Sequence, residues 1–545
     1  MSVYSAVRPV KALVFVACAS FAPFSAYAQS EVTTEPAFPP EAGALLRALS
    51  LGENAALYSF YAENSFASVF AGNEARLSAL VSALEAARSQ GLPEQSALVD
   101  RLAAAISASG QPDTDAALEL LAAKTYVDYA TILTSGMVNP DDISNLINFD
   151  TQRPSAAALL AKAAGSAGDG TLYDLLEPQD PSYNALQAEL AGLVALVEAG
   201  GWGPKIPGGS TLRPGTTNER VLAMRARLGA LGYPGIEGDS TTYDPDLVAA
   251  VKAFQADNTL NVDGIVGPKT LIALNSDPSV QMQQVIVNLE RRRWLNYDLG
   301  ARYIFVNQAS YMAYLMDDGL PTLSTRVVVG KAGAKFQTPE FIDEMTHMVV
   351  NPSWNVPQSI ASQEYLPQLR QDPGVLARQN ITMRVRGTGE TVDARLLDLT
   401  QFSQNNFPFV LKQRPGSGNA LGQVKFMFPN QYNIYLHDTP AKSLFNRDTR
   451  AYSHGCVRVQ RPLDLAYTLL AAQTNDPEGI FQAARNSGRE TRIDLATPVP
   501  IYLTYQSVFL DENGEIAYRV DIYGRDALVF DALAEYGVTL PANQS

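Results

Sequence analysis

The sequence predicts a multidomain α+β protein with a helical N-terminal part, a small helical unit and a β-rich C-terminal part. The chain has 545 residues, more than one hydrophobic core usually organises. Residues 29–197 are rich in Ala and Leu at helical spacing, whereas short β-branched and aromatic runs begin near residue 303. A run of Gly and Pro residues between Gly200 and Ser210 separates these two patterns and marks a domain boundary.

Composition and charge place the chain among ordinary globular proteins. Hydrophobic residues make up 46% and charged residues 18% of the sequence, so a folded core is expected. The 41 Lys and Arg residues are outnumbered by 56 Asp and Glu residues, which gives a net charge of −15. Because an acidic surface repels phosphate backbones, we expect no nucleic-acid partner.

Residues 1–28 have the pattern of a secretory signal peptide. Arg8 and Lys11 precede an apolar run that ends at Phe24, and Ala26-Tyr27-Ala28 then supplies a small-x-small cleavage site. The run is shorter than the about 20 apolar residues that cross a bilayer. The sequence therefore predicts an exported protein with no transmembrane span in the mature chain.

Residues 29–210 are predicted to form a helical scaffold domain that ends in a linker. Leu77, Leu80 and Leu84 share one face of a helix, which stops at Gly91-Leu92-Pro93. An aromatic cluster lies in the same segment, and its spacing favours core packing over a binding face. The members of the cluster are Tyr58, Phe60, Tyr61, Phe66 and Phe70.

Residues 211–277 are predicted to fold as a compact helical unit. The segment reads R-L-x-x-L-G-Y from Arg227, A-V-K-x-F-Q from Ala250, D-G-x-V-G from Asp263 and T-x-x-x-L-N from Thr270. As a set, these motifs resemble the small three-helix peptidoglycan-binding domain that accompanies bacterial wall enzymes. A helical spacer is the alternative interpretation.

Residues 278–530 are predicted to form a β-rich domain, followed by a C-terminal tail at 531–545. A helix at about 280–294 opens the domain, and short β-branched and aromatic runs after it indicate strands. Residues 358–414 interrupt the β pattern with helical and polar stretches. The interruption is long for a loop and favours a lid over a site, with a disordered excursion as the alternative.

The cysteines supply the first chemical signal. The sequence has two, and Cys18 leaves with the signal peptide unless it is lipidated, which is a minor alternative. Cys456 is then a lone thiol in an oxidising compartment, where it has no partner for an internal disulfide. An inert buried residue is one interpretation of such a thiol, and its sequence neighbours decide between that and a reactive thiol.

The neighbours of Cys456 favour a reactive thiol. An alternating strand at 424–428 is followed by a turn and by a second predicted strand from Tyr432 that ends at His437, where the imidazole is well placed to face a cleft. A thiol nucleophile needs a base and backbone N–H donors for the developing oxyanion. His437 is the candidate base, and the amides of Gly455 and Cys456 are the candidate donors. His454, directly beside the thiol, is expected to shape the loop, and the pattern as a whole predicts a cysteine acyl-transferase.

His437 followed by Ser453-His454-Gly455-Cys456-Val457-Arg458 resembles the signature of the L,D-transpeptidases with a YkuD catalytic domain. The resemblance implies Cys456 as nucleophile and His437 as base. It also implies that the backbone carbonyl of Asp438 orients His437 and that residues 454–456 form the oxyanion-hole loop. Other segments, among them 351–357 and 425–430, are similar to the large Gram-negative, YcbB-like branch, in which a helical scaffold, a wall-binding domain and the catalytic domain occur together.

The resemblance further implies a substrate and its partners. Enzymes of this family act in the periplasm on peptidoglycan stem peptides, with a donor tetrapeptide and an acceptor amine and with no cofactor or metal, and carbapenems are expected to inhibit them. The residues nominated for substrate binding are Arg458, Ser453, Tyr435, Trp354 and Lys425. Arg458 stands where many members have Asn. It follows the thiol by two residues in a predicted strand, so we expect its side chain on the same face, where it would hold a stem carboxylate.

Two other classes of function stay open on the sequence alone. His347, His437, His454 and Cys456 offer four N or S ligands for a zinc hydrolase, although no HxxxH or HxxE pattern anchors two ligands on one element. The second alternative is a non-catalytic wall-anchoring scaffold in which Cys456 is inert.

Overall fold

The computed structural model describes residues 39–49, 55–199, 201–234, 236–258 and 260–540. The predicted signal peptide and Cys18 lie outside these residues. Within them, no helix has the length and apolar character needed to cross a membrane.

The N-terminal part is helical, as predicted. Its helices are α1 (Pro40–Leu49), α2 (Ala55–Glu63), α3 (Glu74–Glu85), α4 (Ser96–Ala108), α5 (Pro112–Ser135), α6 (Pro140–Ile143), α7 (Ala156–Gly165), α8 (Thr171–Leu176) and α9 (Pro181–Glu198). The long helix α5 contributes much of the core, and four of the five clustered aromatic residues are buried around it. Tyr58 is the exception, with 41% of its surface exposed. Core packing therefore accounts for most of this cluster.

The small helical unit has its own hydrophobic core. It contains α10 (Arg220–Ala230), α11 (Pro245–Asp257) and α12 (Pro268–Leu274). The buried Gln255 organises one turn, because its side-chain oxygen accepts a hydrogen bond of 2.8 Å from the amide of Gly264. Gly264 adopts a φ of +70°, which favours glycine.

Helix α13 (Pro278–Arg293) leads into the β-rich domain. The domain contains strands β2 (Arg302–Asn307), β3 (Met312–Asp317), β4 (Leu320–Gly330) and β5 (Glu340–Val350) before the lid. After the lid follow β10 (Val424–Met427), β11 (Leu436–His437), β12 (Ala451–Ser453), β13 (Val457–Val459), α17 (Pro462–Leu470), α18 (Pro477–Asn486), β14 (Thr491–Thr504), β15 (Val508–Leu510), β16 (Ile516–Tyr518) and α19 (Arg525–Glu535). Helices α9, α11, α13 and α18 begin at Asp-Pro pairs, in which the Asp side chain accepts a backbone N–H and the Pro fits the first turn.

The main sheet closes on itself. Its strands run in the order β5-β10-β11-β13-β4-β3-β2-β14, and β14 also pairs with β5. The apolar side chains on its inner face form one core, packed against α17 and α18. In this order β10, β11 and β13 lie side by side, and these three strands carry the predicted site.

The predicted lid is a folded subdomain. It contains β6 (Trp354–Asn355), α14 (Gln358–Ile360), α15 (Leu366–Gln371), α16 (Val375–Arg378), β7 (Ile381–Val385), β8 (Thr391–Val392) and β9 (Phe409–Gln413). The strands pair in the order β6-β9-β7-β8 over a separate hydrophobic core. We refer to residues 354–413 as the lid, which begins four residues before the predicted start because β6 pairs with β9.

Three features differ from the sequence prediction. A two-residue strand β1 (Ile147–Asn148) leaves the helical part and pairs with β5 of the main sheet. The predicted boundary at 530 falls inside α19, where Leu533 is buried. The strand that ends at His437 has two residues instead of six, because Asn433 takes a φ of +54° and interrupts the extended backbone.

Candidate active site

Strand register brings three nominated side chains into one row. His437 on β11 lies opposite Lys425 of β10 on one side and opposite Arg458 of β13 on the other. Directly paired residues project to the same face of a sheet. The row therefore sets an imidazole between two cations.

Hydrogen bonds within the β12–β13 segment and to Thr338 hold the motif loop. Gly455 has a φ of +120°, and a Cβ at this position would lie 3.0 Å from Ile434, so the loop requires glycine. Ser453 Oγ donates to the carbonyl of Cys456 at 2.6 Å, and the buried Thr338 donates to the carbonyl of Gly455 at 2.6 Å. These bonds fix the backbone on both sides of the thiol.

The backbone amides of the motif loop differ in their hydrogen-bond partners. The Gly455 N–H, predicted as an oxyanion donor, donates instead to Ser453 Oγ at 3.1 Å. In the part of the chain that the structure describes, the Cys456 N–H has no hydrogen-bond partner. The Cys456 amide is therefore a donor that this conformation leaves for an oxyanion.

The imidazole of His437 has a defined tautomer. Its Nδ1 lies 2.5 Å from the backbone carbonyl of Asp438, a contact in which Nδ1–H donates and Nε2 keeps its lone pair. This is the contact that the resemblance implies. Burial, together with the positive charge of Arg458, lowers the pKa of His437 to about 3, so the ring is neutral at neutral pH.

The thiol of Cys456 is half-buried beside Tyr435. Its Sγ lies 3.7 Å from the carbonyl oxygen of Asn433. Burial raises the pKa of the Cys456 thiol to about 11, although hydrogen bonds from Tyr435 and the charges of Arg458 and Lys425 act in the opposite direction. At neutral pH the thiol is therefore protonated and has a neutral imidazole as its candidate base.

A cavity of about 760 Å³ opens over this row, between the sheet and the lid. Among the residues that line it are Lys425, Tyr435, His437, Ser453, His454, Cys456, Arg458 and, from the lid, Trp354. All five residues nominated for substrate binding thus face one space. Arg458 has a buried Nε without a hydrogen-bond partner among the described residues, which leaves this guanidinium available to an anion.

Sequence reasoning did not find two contacts of this site. Glu364 of the lid lies 2.5 Å from Nε2 of His454, and Thr338 holds the loop as described above. Both pairs are separated by about a hundred residues along the chain, and no sequence signal links them. Phe336 packs edge-on against the ring of His454, with ring centroids 4.9 Å apart.

His347 does not join this site. It lies on β5 between Met427 of β10 and Asp494 of β14, and its Nδ1 contacts Thr346 Oγ1 at 2.8 Å. Across the described ranges, no group of three or more His, Cys, Asp or Glu side chains converges to hold a metal ion. The four ligands considered for zinc are therefore not gathered in one place.

Comparison with known proteins assigns the domains. Residues 301–501 match an L,D-transpeptidase catalytic domain of the YkuD family, residues 217–274 match a putative peptidoglycan-binding domain, and residues 55–190 match a scaffold domain. The chain therefore carries a YkuD-type L,D-transpeptidase catalytic domain together with a peptidoglycan-binding domain, and the predicted fold class is confirmed.

Three proteins illustrate the similarity. A putative L,D-transpeptidase of Haemophilus influenzae is 32% identical over 290 residues, which cover 53% of this chain and 57% of that protein. A probable CtpA-like serine protease of Staphylococcus epidermidis is 40% identical over 65 residues, or 12% of this chain and 13% of its own. The crystal structure of an L,D-transpeptidase from Xylanimonas cellulosilytica shares 15% identity, covers 55% of this chain and 99% of its own, and superposes with a TM-score of 0.16. The chain thus spans just over half of the length of the Haemophilus influenzae protein. Assignment of this chain to the Gram-negative branch stays a prediction.

Proposed function

We propose that the chain is a peptidoglycan L,D-transpeptidase that acts through a thioester on Cys456. The observation that carries the proposal is the placement of Cys456, His437 and Arg458 in one cavity of a YkuD-type domain. Export by residues 1–28 would place the enzyme in the periplasm, and the peptidoglycan-binding domain would hold it on its polymeric substrate.

In the first half-reaction, Cys456 attacks the carbonyl of diaminopimelate, the third residue of a tetrapeptide stem. Nε2 of His437 takes the thiol proton and passes it to the leaving amine, so that D-alanine departs and a thioester forms. The free Cys456 amide would stabilise the oxyanion. Because thiol and imidazole are both neutral at rest, proton transfer accompanies the attack.

In the second half-reaction, a nucleophile resolves the thioester. The side-chain amine of diaminopimelate from a neighbouring stem gives a 3→3 cross-link, water gives a tripeptide, and a lipoprotein lysine gives an anchored protein. The cavity contains cations for the stem carboxylates, since the buried Nε of Arg458 has no hydrogen-bond partner among the described residues and Lys425 lies in the same row.

The proposal is tested with purified sacculi and the mature protein, by mass spectrometry of the released muropeptides. Wild type should yield 3→3 cross-linked products, and Cys456→Ala should yield neither these nor tripeptides, because both products pass through one thioester. A carbapenem should add once to wild type and not at all to Cys456→Ala. Activity that persists in Cys456→Ala, or that a chelator abolishes in wild type, would refute the thiol mechanism and favour a metal-dependent peptidase.

A further inference from the structure

The lid reaches the catalytic motif through one ionisable pair. Glu364 belongs to a single π-helical turn at Ala361–Tyr365, between α14 and α15, a type of irregularity that is frequent at functional sites. Its carboxylate lies 2.5 Å from Nε2 of His454. His454 is the residue two positions before the thiol, so the pair lies at the rim of the reacting centre.

The pair has the geometry of a general base with its orienting group. Since Nε2 of His454 faces a carboxylate, Nε2–H is the donor and Nδ1 keeps the lone pair. Nδ1 has no hydrogen-bond partner in the described chain. The edge-on packing of Phe336 fixes the ring plane. His454 is thus oriented by Glu364 as His437 is by Asp438, but by a negative charge instead of a carbonyl.

The cavity separates charge between the sheet and the lid. Lys425 and Arg458 lie in the row along the sheet, whereas Glu364 is the one carboxylate among the described residues that line the cavity. A donor stem presents carboxylates, and an acceptor presents an ammonium group. The two substrates therefore match the two sides of the cavity.

We propose that Glu364 and His454 form the acceptor site, in which Glu364 attracts the ammonium group and His454 removes its proton. This inference rests on the proposed function. An alkyl ammonium group has a pKa of about 10, so roughly one molecule in a thousand is neutral at pH 7. Only the neutral amine attacks a thioester, so the small neutral fraction limits the rate. A base beside the ammonium group removes a proton from it and so raises that fraction.

The step balances in protons and bonds. His454 Nδ1 takes one proton from the ammonium group and releases it to solvent. The nitrogen lone pair then forms the C–N bond, the C–S bond breaks, and the second proton passes from nitrogen through His437 to the departing thiolate. The products are the amide, the Cys456 thiol and one free proton. Glu364 is a positioning residue in this step.

The test uses Glu364→Gln in the full chain, with Glu390→Gln as a control that removes an exposed carboxylate elsewhere in the same lid. In single-turnover assays on a tetrapeptide donor, Glu364→Gln should lose far less of its D-alanine release than of its cross-linking, whereas Glu390→Gln should match wild type in both. The ratio of cross-linked to hydrolysed product should fall at least tenfold at pH 7. That deficit should narrow toward pH 10, because the free amine then becomes abundant.

Hydroxylamine, which is uncharged at neutral pH, provides a second acceptor. It should resolve the thioester equally fast in Glu364→Gln and wild type, and Glu364→Asp should recover part of the cross-linking. The other charged or titratable groups near the pair are unchanged in every variant: Lys425, Arg458, His437 and Cys456 in the cavity, the cavity tyrosines, and Lys331 behind Phe336.

Two results would overturn the inference. An unaltered product ratio and pH profile in Glu364→Gln would show that the carboxylate has no part in acceptor use. An equal loss of D-alanine release and cross-linking would show that Glu364 supports the loop as a whole. A wild-type protein that never acylates Cys456 would instead refute the proposed function, so the two failures are distinguishable.

Discussion

Lys425, His437 and Arg458 are three residues whose chemistry depends on their neighbours across the sheet. Each belongs to a different strand, and the register of β10, β11 and β13 sets them side by side. Burial, together with the positive neighbour Arg458, lowers the pKa of His437 and keeps the ring uncharged, which preserves its lone pair for a proton. Arg458 itself has a buried Nε without a partner in the described chain, an arrangement that costs free energy unless a substrate anion completes it.

Replacing Arg458 with Lys tests this arrangement. The change keeps the charge and removes the planar fork that binds a carboxylate through two hydrogen bonds. We expect kcat/KM on intact stems to fall roughly tenfold to hundredfold, since a charge-assisted hydrogen bond contributes about 1.5–3 kcal/mol. On stems with amidated carboxylates, the decrease in kcat/KM caused by the substitution should be much smaller. Equal losses on both substrates would indicate that Arg458 supports the fold.

The pH dependence of thiol alkylation tests the neutral resting pair. With a pKa raised to about 11, Cys456 should react with iodoacetamide at a rate that climbs through pH 9 and 10 without levelling near pH 8.5. In Arg458→Gln the alkylation rate should rise only at higher pH, because the Arg458 charge lowers the pKa of the thiol in wild type. Arg489→Gln, which removes an exposed Arg outside the cavity, is the control. A plateau below pH 8 would contradict the prediction and indicate a thiolate–imidazolium pair.

At the scale of elements, the loop between β12 and β13 is held by Thr338, which lies in the connection between β4 and β5. Thr338 is fully buried, donates to the Gly455 carbonyl and accepts the Gly330 N–H at 3.0 Å. Its own carbonyl accepts a hydrogen bond of 2.7 Å from Arg525 of α19. Gly330 is required here, since a Cβ would collide with the carbonyl of Phe336.

Thr338→Val should therefore slow acylation while leaving the fold intact. It removes one hydroxyl from two buried backbone groups, at a cost of about 1–3 kcal/mol in the free energy of unfolding. A shift of the loop by about 1 Å can lower the acylation rate by roughly 100-fold. Thr338→Ser, which keeps the hydroxyl, should restore most of the rate. The readout is single-turnover release of D-alanine together with urea unfolding, and equal rates in the Val and Ser variants would contradict the role given to the hydroxyl.

Across the whole molecule, one buried carboxylate joins three parts of the chain. Glu340 at the start of β5 contacts Arg291 of α13 at 2.5 Å and Arg525 of α19 at 3.0 Å, and all three side chains are buried. The adjoining hydrophobic core takes residues from the helical part, α13 and α19 together. Strand β1 completes the connection, because it extends the main sheet from within the helical part.

Glu340→Gln should destabilise this junction strongly. Loss of the carboxylate removes the counter-charge that both buried guanidinium groups contact and leaves Arg291 with Asp526, whose Oδ1 lies 4.0 Å from its Nε. Breaking a buried ion pair in this way costs about 3–5 kcal/mol. Glu344→Gln, on the same strand but exposed, is the matched control and should change stability little. Urea unfolding followed by tryptophan fluorescence reports the effect, since the guanidinium of Arg291 lies 5.3 Å from the ring of Trp294. Similar midpoints for the two variants would show that the ion cluster is not what joins the parts.

The sequence predicted features that depend on neighbours along the chain. Helical periodicity, the Gly and Pro boundary and the alternating strands depend on local backbone preferences, and the structure confirms the helical and β-rich parts. The domain match also confirms the catalytic family that Ser453–Arg458 indicates. The predicted strand before His437 is too long, because Asn433 has a positive φ and breaks the extended backbone. A residue with positive φ does not alter the hydrophobic periodicity from which the strand is predicted.

The amino-acid sequence alone predicts the candidate nucleophile, its candidate base and the class of domain that carries them. These follow from residue types at short spacing, which the chain connectivity already brings near one another. Which residues contact Cys456, His437 and His454, and how the pKa values of Cys456 and His437 are shifted, depend on the tertiary structure. The contacts of Glu364 and Thr338 with the motif join residues 90 and 117 positions apart, and the pKa shifts of His437 and Cys456 arise from burial that exists only once the sheet has closed beneath the lid.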